Sequence, residues 1–499
     1  MSYFDTYSAH DPKTMMAFMG YLMVVMTVGV VAFILTRSLS DYVLGGRRLG
    51  GAVAALSAGA SDMSAWLLMA LPGLIYGSGL AQIWMSLGLV LGAYAAWRFM
   101  AKRLRIYSEM ANDSLTIPAY LDNRFQDHSK GIRTVAACAT LIFFVFYVAA
   151  GFYASAVLLR LTFGLDYSTA LYIGAAIIML YTCVGGFLAV SWTDFFQGNL
   201  MLCCLIAVPF MVMAQSGGWS VGLADLRALQ PDYFDCTRGV SFSSLLTQMS
   251  WGLGYFGMPH ILVRFMAVKN LGEIPLARRV CISWMTLSLL GAILVGIVGA
   301  AHFVSTPLVD PETVFMALSQ RSFSPWVMGI ILAAILSSSM CAIDSQMLAA
   351  SSALTEDIYR ALFRPRAAQR ELMWVGRGTV FLIAGVALYI ARIPSQGIMG
   401  LVAFAWAGLG ATFAAPLVLS LYWRRTTARG AVVGMLLGCL TAMLWRYLGL
   451  SSIVYEILPA TALSFVGVIV TSLLDHEPKA AVLKMYAQYE DALKASHVL

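Results

Sequence analysis

Three aspartates, Asp62, Asp194 and Asp344, stand in stretches that are otherwise almost wholly apolar. Away from water an ionised carboxylate needs a counterion, a set of donors or a proton. The chemistry these residues suggest is charge balance for a cation, or carriage of a proton, rather than bond-making. Asp62 lies in the run Gly59-Ala60-Ser61-Asp62-Met63-Ser64, where a plainer account is a capping carboxylate that satisfies amides freed by a break. The two accounts are compatible. Asp194 follows Trp192 and Thr193 near an expected membrane edge, so a simple interfacial anion is its plainer account. Asp344 lies on a helix whose spacing sets Cys341, Asp344, Ser345 and Leu348 along one face. Such a strip faces an ion path, or else Asp344 pairs with an interior hydroxyl or basic group. Trp66, Tyr147, Trp251 and Tyr255 each join an apolar face to one polar handle and could wall a pocket for a compact amphiphile.

The elements that hold these residues are set by composition. Of 499 residues, 60% are apolar and 11% charged, too few polar groups to cover a water-soluble domain of that length. Roughly 20 apolar residues cross the hydrocarbon core as a helix, and about thirteen such stretches can be marked, from Met15–Leu35 to Leu458–Leu474. A carboxylate at the centre of one costs about 2.5 to 3.5 kcal/mol on the milder scales, so it is seldom idle. Two spans are interrupted. The second, Ala52–Tyr76, contains Gly59, Ser61, Asp62, Ser64, Pro72 and Gly73; the seventh, Leu245–Met266, contains Gly252, Gly254, Gly257, Pro259, His260 and Arg264. If spans two to six form one unit and seven to eleven another, each interrupted helix opens its unit. That is the layout of inverted repeats with cargo held at midplane between two discontinuous helices. Close glycine packing against neighbouring helices is the alternative.

The first charges met are Asp5, Asp11 and Lys13, without the basic lead and cleavage site of a signal peptide, so the first apolar stretch is expected to be a span. Lys13, Arg160, Arg227, Arg238, Arg321, Arg392 and Arg446 fall in or beside one set of loops, and the rest of the 32 Lys and Arg residues in the other. The positive-inside rule then puts the N-terminus in the periplasm and the C-terminus in the cytoplasm. A net charge of +7 dispersed over loops, with few interleaved aromatics, does not suit a nucleic-acid partner. Of eight cysteines, Cys236 falls in an outer loop and the others inside spans as small packing residues. Gly252, Gly254 and Gly257 have the GxGxxG form but sit in a span, so a nucleotide site is excluded. Residues 1–475 read as one transmembrane transporter domain, and 476–499 as a cytoplasmic tail with an amphipathic helical pattern.

Several runs carry a wider likeness: Gly45-Gly46-Arg47-Arg48-Leu49-Gly50, Leu56-Ser57-Ala58-Gly59-Ala60-Ser61-Asp62-Met63-Ser64 and Gly185-Gly186-Phe187-Leu188-Ala189-Val190-Ser191-Trp192-Thr193-Asp194. Two more follow, Trp251-Gly252-Leu253-Gly254-Tyr255-Phe256-Gly257-Met258-Pro259-His260 and Ser351-Ser352-Ala353-Leu354-Thr355-Glu356-Asp357. In these the chain resembles the sodium/solute symporter family over nearly its whole length. The resemblance implies an all-α polytopic membrane protein with a five-plus-five inverted-repeat core of the LeuT type, about residues 50–425. It also implies one extra helix before the core, 15–35, and two after it, about 428–474. It implies that Asp62, with the carbonyls of Ala60 and Met63, serves sodium. Ser64, Trp66, Tyr147, Trp251, Tyr255 and Pro259 then bear on a substrate pocket, and Arg47 on coupling at the cytoplasmic side.

The departures from the family are as informative. A gap-free match of the ninth span sets the family's paired sodium hydroxyls, a Ser-Thr, opposite Cys341 and Ala342, and a family serine opposite Asp344. A thiol is a softer ligand than sodium prefers. Either sodium moves toward Asp194, Asp344 and Ser345, a level some family members use for a second sodium, or Asp344 takes a proton that couples instead. The expected activity is cation-coupled uptake of a small zwitterion, foremost L-proline, across a bacterial inner membrane, by Na+ or H+ symport, with another small solute, an amino acid or a carboxylate, as the alternative cargo. No cofactor, resident metal, nucleic-acid partner or catalytic residue is expected. A sensor with a transporter fold and a channel are the readings from other classes; the short tail and the paired breaks disfavour them.

Overall fold

The structure, a computed structural model, describes residues 11–35, 44–127, 129–184, 186–393 and 397–496. Asp5 and Gly185 lie outside them. The described residues are helical apart from turns and one isolated bridge. After α1 (Pro12–Leu35) comes the first interrupted helix, α2 (Gly51–Asp62) and α3 (Leu71–Ser78). Then α4 (Ile83–Ala95) runs through a π turn into α5 (Ala101–Met110), followed by the short α6 (Ile117–Phe125). Three long helices complete this half: α7 (Gly131–Phe163), α8 (Tyr167–Val184) and α9 (Phe187–Gln215). The second interrupted helix is α10 (Phe242–Ser250) and α11 (Pro259–Ala267), and α12 (Ile274–His302), α13 (Pro325–Ser352), α14 (Gln369–Ala391) and α15 (Gly397–Tyr422) follow it. Last come α16 (Ala428–Tyr447), α17 (Ile457–Leu474) and the tail helix α18 (Ala480–Ala495).

Among the described residues nine helices are long and apolar enough to cross a membrane, and side chains such as Phe210, Leu287, Leu382 and Leu473 point outward from them, exposed. An apolar surface of that extent belongs in lipid. The measure falls short of the thirteen stretches marked in the sequence for a physical reason. The breaks cut two spans into short pieces, Trp66–Met110 runs two together, and Pro12–Val28 and Tyr167–Leu180 are shorter apolar runs.

The two interrupted helices are tied at one end. Leu49, just before α2, bridges Val268, just after α11, with Leu49 N–H donating to Ala267 O at 3.2 Å and Lys269 N–H to Leu49 O at 2.8 Å. Arg105 on α5 donates to Val268 O at 2.8 Å, and the Glu273 carboxylate accepts from Gly51 N–H at 2.8 Å, where an anion suits the start of a helix. At the opposite end the turn Pro311–Thr313 lies against α3; a Cβ on Gly73 would sit 2.8 Å from Pro311 O.

The tail forms the expected amphipathic helix, with Val482, Tyr486, Tyr489 and Leu493 buried on one stripe. Tyr489 stacks on Tyr107 with centroids 4.2 Å apart and accepts from Arg103 at 3.1 Å. The cysteines differ in part from expectation. Cys204, Cys281, Cys341 and Cys439 are buried, but Cys138 and Cys203 are exposed on helix faces.

Candidate ion and substrate site

Asp62 ends α2. Met63 leaves helical geometry (φ −81°, ψ 68°) while its amide still reaches Gly59 O at 2.9 Å. Ser64 N–H donates to Asp62 O at 2.9 Å instead of reaching back a full turn, so the Ala60 carbonyl loses its usual helical donor. The chain then tightens through Leu67 N–H to Ser64 O at 3.0 Å and a π turn over Trp66–Ala70 before α3 begins. Trp66 Nε1 and the Tyr147 hydroxyl donate to the same Asp62 carbonyl, at 3.1 and 3.4 Å.

The second break is built differently. Trp251–Phe256 forms a 3-10 turn closed by Gly257 N–H to Gly254 O at 2.9 Å, Met258 is extended, and Pro259 opens α11. The glycines serve packing as well as interruption. A Cβ on Gly92 would fall 2.1 Å from Gly252 O, and one on Gly254 2.2 Å from the Trp406 ring. Trp406 Nε1 donates to Trp251 O at 2.8 Å, Trp251 stacks on Tyr455 at 4.8 Å, and Tyr255 stands edge-on to Trp406 at 5.2 Å. The breaks meet directly, because the Tyr255 hydroxyl donates to Asp62 Oδ2 in the buried interior. Ser64, Trp66, Tyr147, Tyr255 and Pro259 therefore gather about the two breaks, with Trp251 one turn away in an aromatic stack of its own.

The other carboxylates separate. Asp194 on α9 accepts from the Ser57 hydroxyl at 2.7 Å and pairs with Arg264 at 3.4 Å. Arg264 also donates to Ser57 Oγ at 3.1 Å, to Ser345 Oγ at 2.5 Å and to His260 O at 2.5 Å. Asp344 does not join this group; the Thr182 hydroxyl on α8 donates to it. Cys341 gives its thiol to Gln197 Oε1 at 2.8 Å, and the buried Ala342 side chain has no polar atom to offer. The single strip expected on α13 thus fans out to α9, α8 and α11. Ser57, Thr182, Gln197 and Arg264 were not singled out as site residues; polar side chains within spans were the available signal.

Arg47 stands at the tied end. Its guanidinium donates to Asp113 at 2.8 Å, Met266 O at 2.7 Å, Ser114 O at 3.0 Å and Ser108 Oγ at 3.2 Å. Burial lowers its pKa from the ordinary arginine value, and the hydrogen bond to Asp113 opposes that. Among the described residues no group of three or more His, Cys, Asp or Glu is placed to hold a metal. The oxygens at the breaks are single carboxylates, hydroxyls and freed carbonyls, a set suited to a monovalent cation in transit.

A family model described as the sodium:solute symporter family matches residues 42–438. The chain belongs to the sodium/solute symporter family. A high-affinity proline transporter of Bacillus subtilis is 44% identical over 468 residues, covering 93% of this chain and 99% of its own length. A sodium/proline symporter of Escherichia coli is 44% identical over 480 residues, covering 95% of each. Among solved structures, a Na+-coupled sialic acid symporter in a substrate-bound outward-open state superposes with a TM-score of 0.82 at 19% identity, over 94% of this chain and 99% of that one. This family member therefore has the LeuT-like all-helical fold, in which α2/α3 and α10/α11 are the discontinuous helices.

Proposed function

We propose that the chain is a secondary active transporter, not an enzyme, that carries L-proline into the cell with sodium across a bacterial inner membrane. The observation that supports this most directly is its 41–44% identity, over nearly their whole length, to curated relatives most of which are named sodium/proline symporters. The contact of Asp62 with Tyr255 adds a physical reason. One buried carboxylate belongs to both discontinuous helices, so a cation that draws on it acts on both halves at once. Asp62 and the Ala60 and Met63 carbonyls would receive sodium, and the substrate carboxylate would meet helix N-termini at the breaks. Ser64, Trp66, Tyr147, Trp251, Tyr255 and Pro259 would line the substrate, and Arg47 would hold the cytoplasmic end shut. One transporter domain of residues 1–475 with a periplasmic N-terminus and a cytoplasmic tail completes this reading, and the ion gradient is its only energy source.

Proton coupling is the second reading, favoured by one observation. Where the family carries sodium hydroxyls this chain has Cys341, occupied with Gln197, and Ala342. Uptake of labelled proline into proteoliposomes, with sodium and proton gradients imposed separately, decides between them. Uptake that follows only the proton gradient removes sodium, and uptake that follows neither removes coupled transport.

A further inference from the structure

Arg264 lies within the second discontinuous helix, fully buried, and no expectation drawn from the family gives it a role. Its surroundings are a cation site in all but occupant. The Asp194 carboxylate, the Ser57 and Ser345 hydroxyls and the His260 carbonyl are all within hydrogen-bond reach of the one guanidinium, which also lies 5.1 Å over the Phe187 ring. One carboxylate oxygen, two hydroxyls and a carbonyl form a donor set that a hard monovalent ion would take as readily. Two further observations point to a ligand here. Asp194 Oδ1 is buried outside the hydrogen bonds from Ser57 and Arg264, both of which go to Oδ2. A cavity of about 20 Å³, the size of one water or small ion, lies beside the cluster, lined by Thr116, Pro259, His260, Arg264, Ser345 and Ser352.

We propose that Arg264 is a tethered cation that competes with a transported sodium ion for the Asp194, Ser57 and Ser345 cluster. At low dielectric one carboxylate does not neutralise two cations, because both desolvation penalties must be met by a single partner. Sodium at this level therefore displaces the guanidinium, and the guanidinium shields Asp194 when sodium leaves. The exchange is linked to the substrate because α11 carries Arg264 and begins at Pro259. It is linked to the closed end because Met266, two residues on, is where Arg47 holds α11. This inference rests on the sodium-coupled reading above and deepens it.

The test is tracer sodium binding to the purified full-length protein without proline, run beside sodium-driven proline uptake. Arg264→Gln is expected to lower the sodium half-saturation roughly tenfold, within the usual range of coupling between sites, and the double variant with Asp194→Asn is expected to lose that gain. A half-saturation in Arg264→Gln equal to the parent's overturns the proposal and leaves a structural ion pair. Should that variant not fold, Arg264→Lys carries the test, since one ammonium cannot serve four oxygens in the guanidinium's geometry; parental sodium affinity there overturns the proposal equally. A parent that binds no tracer sodium and shows no sodium-driven uptake overturns the coupling reading, and this proposal with it.

Discussion

At the scale of single residues, the Tyr255 hydroxyl is the group on which the site turns. It donates to Asp62 Oδ2 in the buried interior. Removing one partner of a buried bond leaves the other's desolvation uncompensated, at about 1–3 kcal/mol. Tyr255→Phe should therefore lower the thermal unfolding midpoint of the purified protein. If sodium draws on Asp62, sodium should recover more of the loss in the variant than it adds to the parent, because a ligand stabilises the state it binds. Equal shifts in the two proteins would detach sodium from Asp62. The carboxylates themselves were legible in the sequence because the bilayer makes them expensive. Their partners were not. Ser57 and Arg264 are 207 residues apart, and nothing local in either helix says that they meet. Asp344 shows the same limit, since helical spacing fixes which side of α13 it occupies but not that Thr182 waits there.

At the scale of elements, both interruptions followed from glycine and proline content, and the alternative of close packing proved equally true of the second. At Gly92 and Gly252 backbone lies directly on backbone, with Gly88 O 2.2 Å from a Cβ on Gly252. Neither chain has a flexible end to yield, so Gly92→Ala should force α4 away from the 3-10 turn and cost about 1–3 kcal/mol, as overpacking does. Gly20 and Gly385 are the controls, each helical with nothing within 4 Å of an added Cβ. Alanine there should be neutral or stabilising by about 0.5–1 kcal/mol. Thermal midpoints of the three variants check the contrast, and a Gly92→Ala protein as stable as Gly385→Ala would refute it. A second device at this scale is the turn Pro311–Thr313. Burial pushes the Glu312 carboxyl above the usual glutamate range and the nearby Asp310 charge adds to it, while the α15 amides, including Ile398 N–H, pull the other way. The folded chain thus holds this proton more tightly than the unfolded chain. The stability it contributes is complete below the ordinary glutamate range and is lost as pH rises through the elevated value. Unfolding midpoints measured from acid to neutral pH should fall across that window in the parent and run flatter in Glu312→Gln. Parallel curves would show that Glu312 does not set the slope.

At the scale of the whole molecule, orientation rests on charge. Lys and Arg crowd the loops at the end where Arg47 and Arg105 tie α2 to α11 and where the tail helix docks on Tyr107. The opposite face carries the turn with Glu312 and the loop before α10, in which Trp84 Nε1 reaches Cys236 O at 2.8 Å. Basic residues near the ends of spans resist translocation, so the proposed orientation has the tied end in the cytoplasm. In a cysteine-depleted background a membrane-impermeant maleimide should label Thr237→Cys in intact cells and reach His476→Cys only after permeabilisation. The reverse pattern would turn the protein over in the membrane, and with it the sense of coupling. Arg47 would then face the side from which substrate arrives, and its four hydrogen bonds would close the entrance rather than the exit.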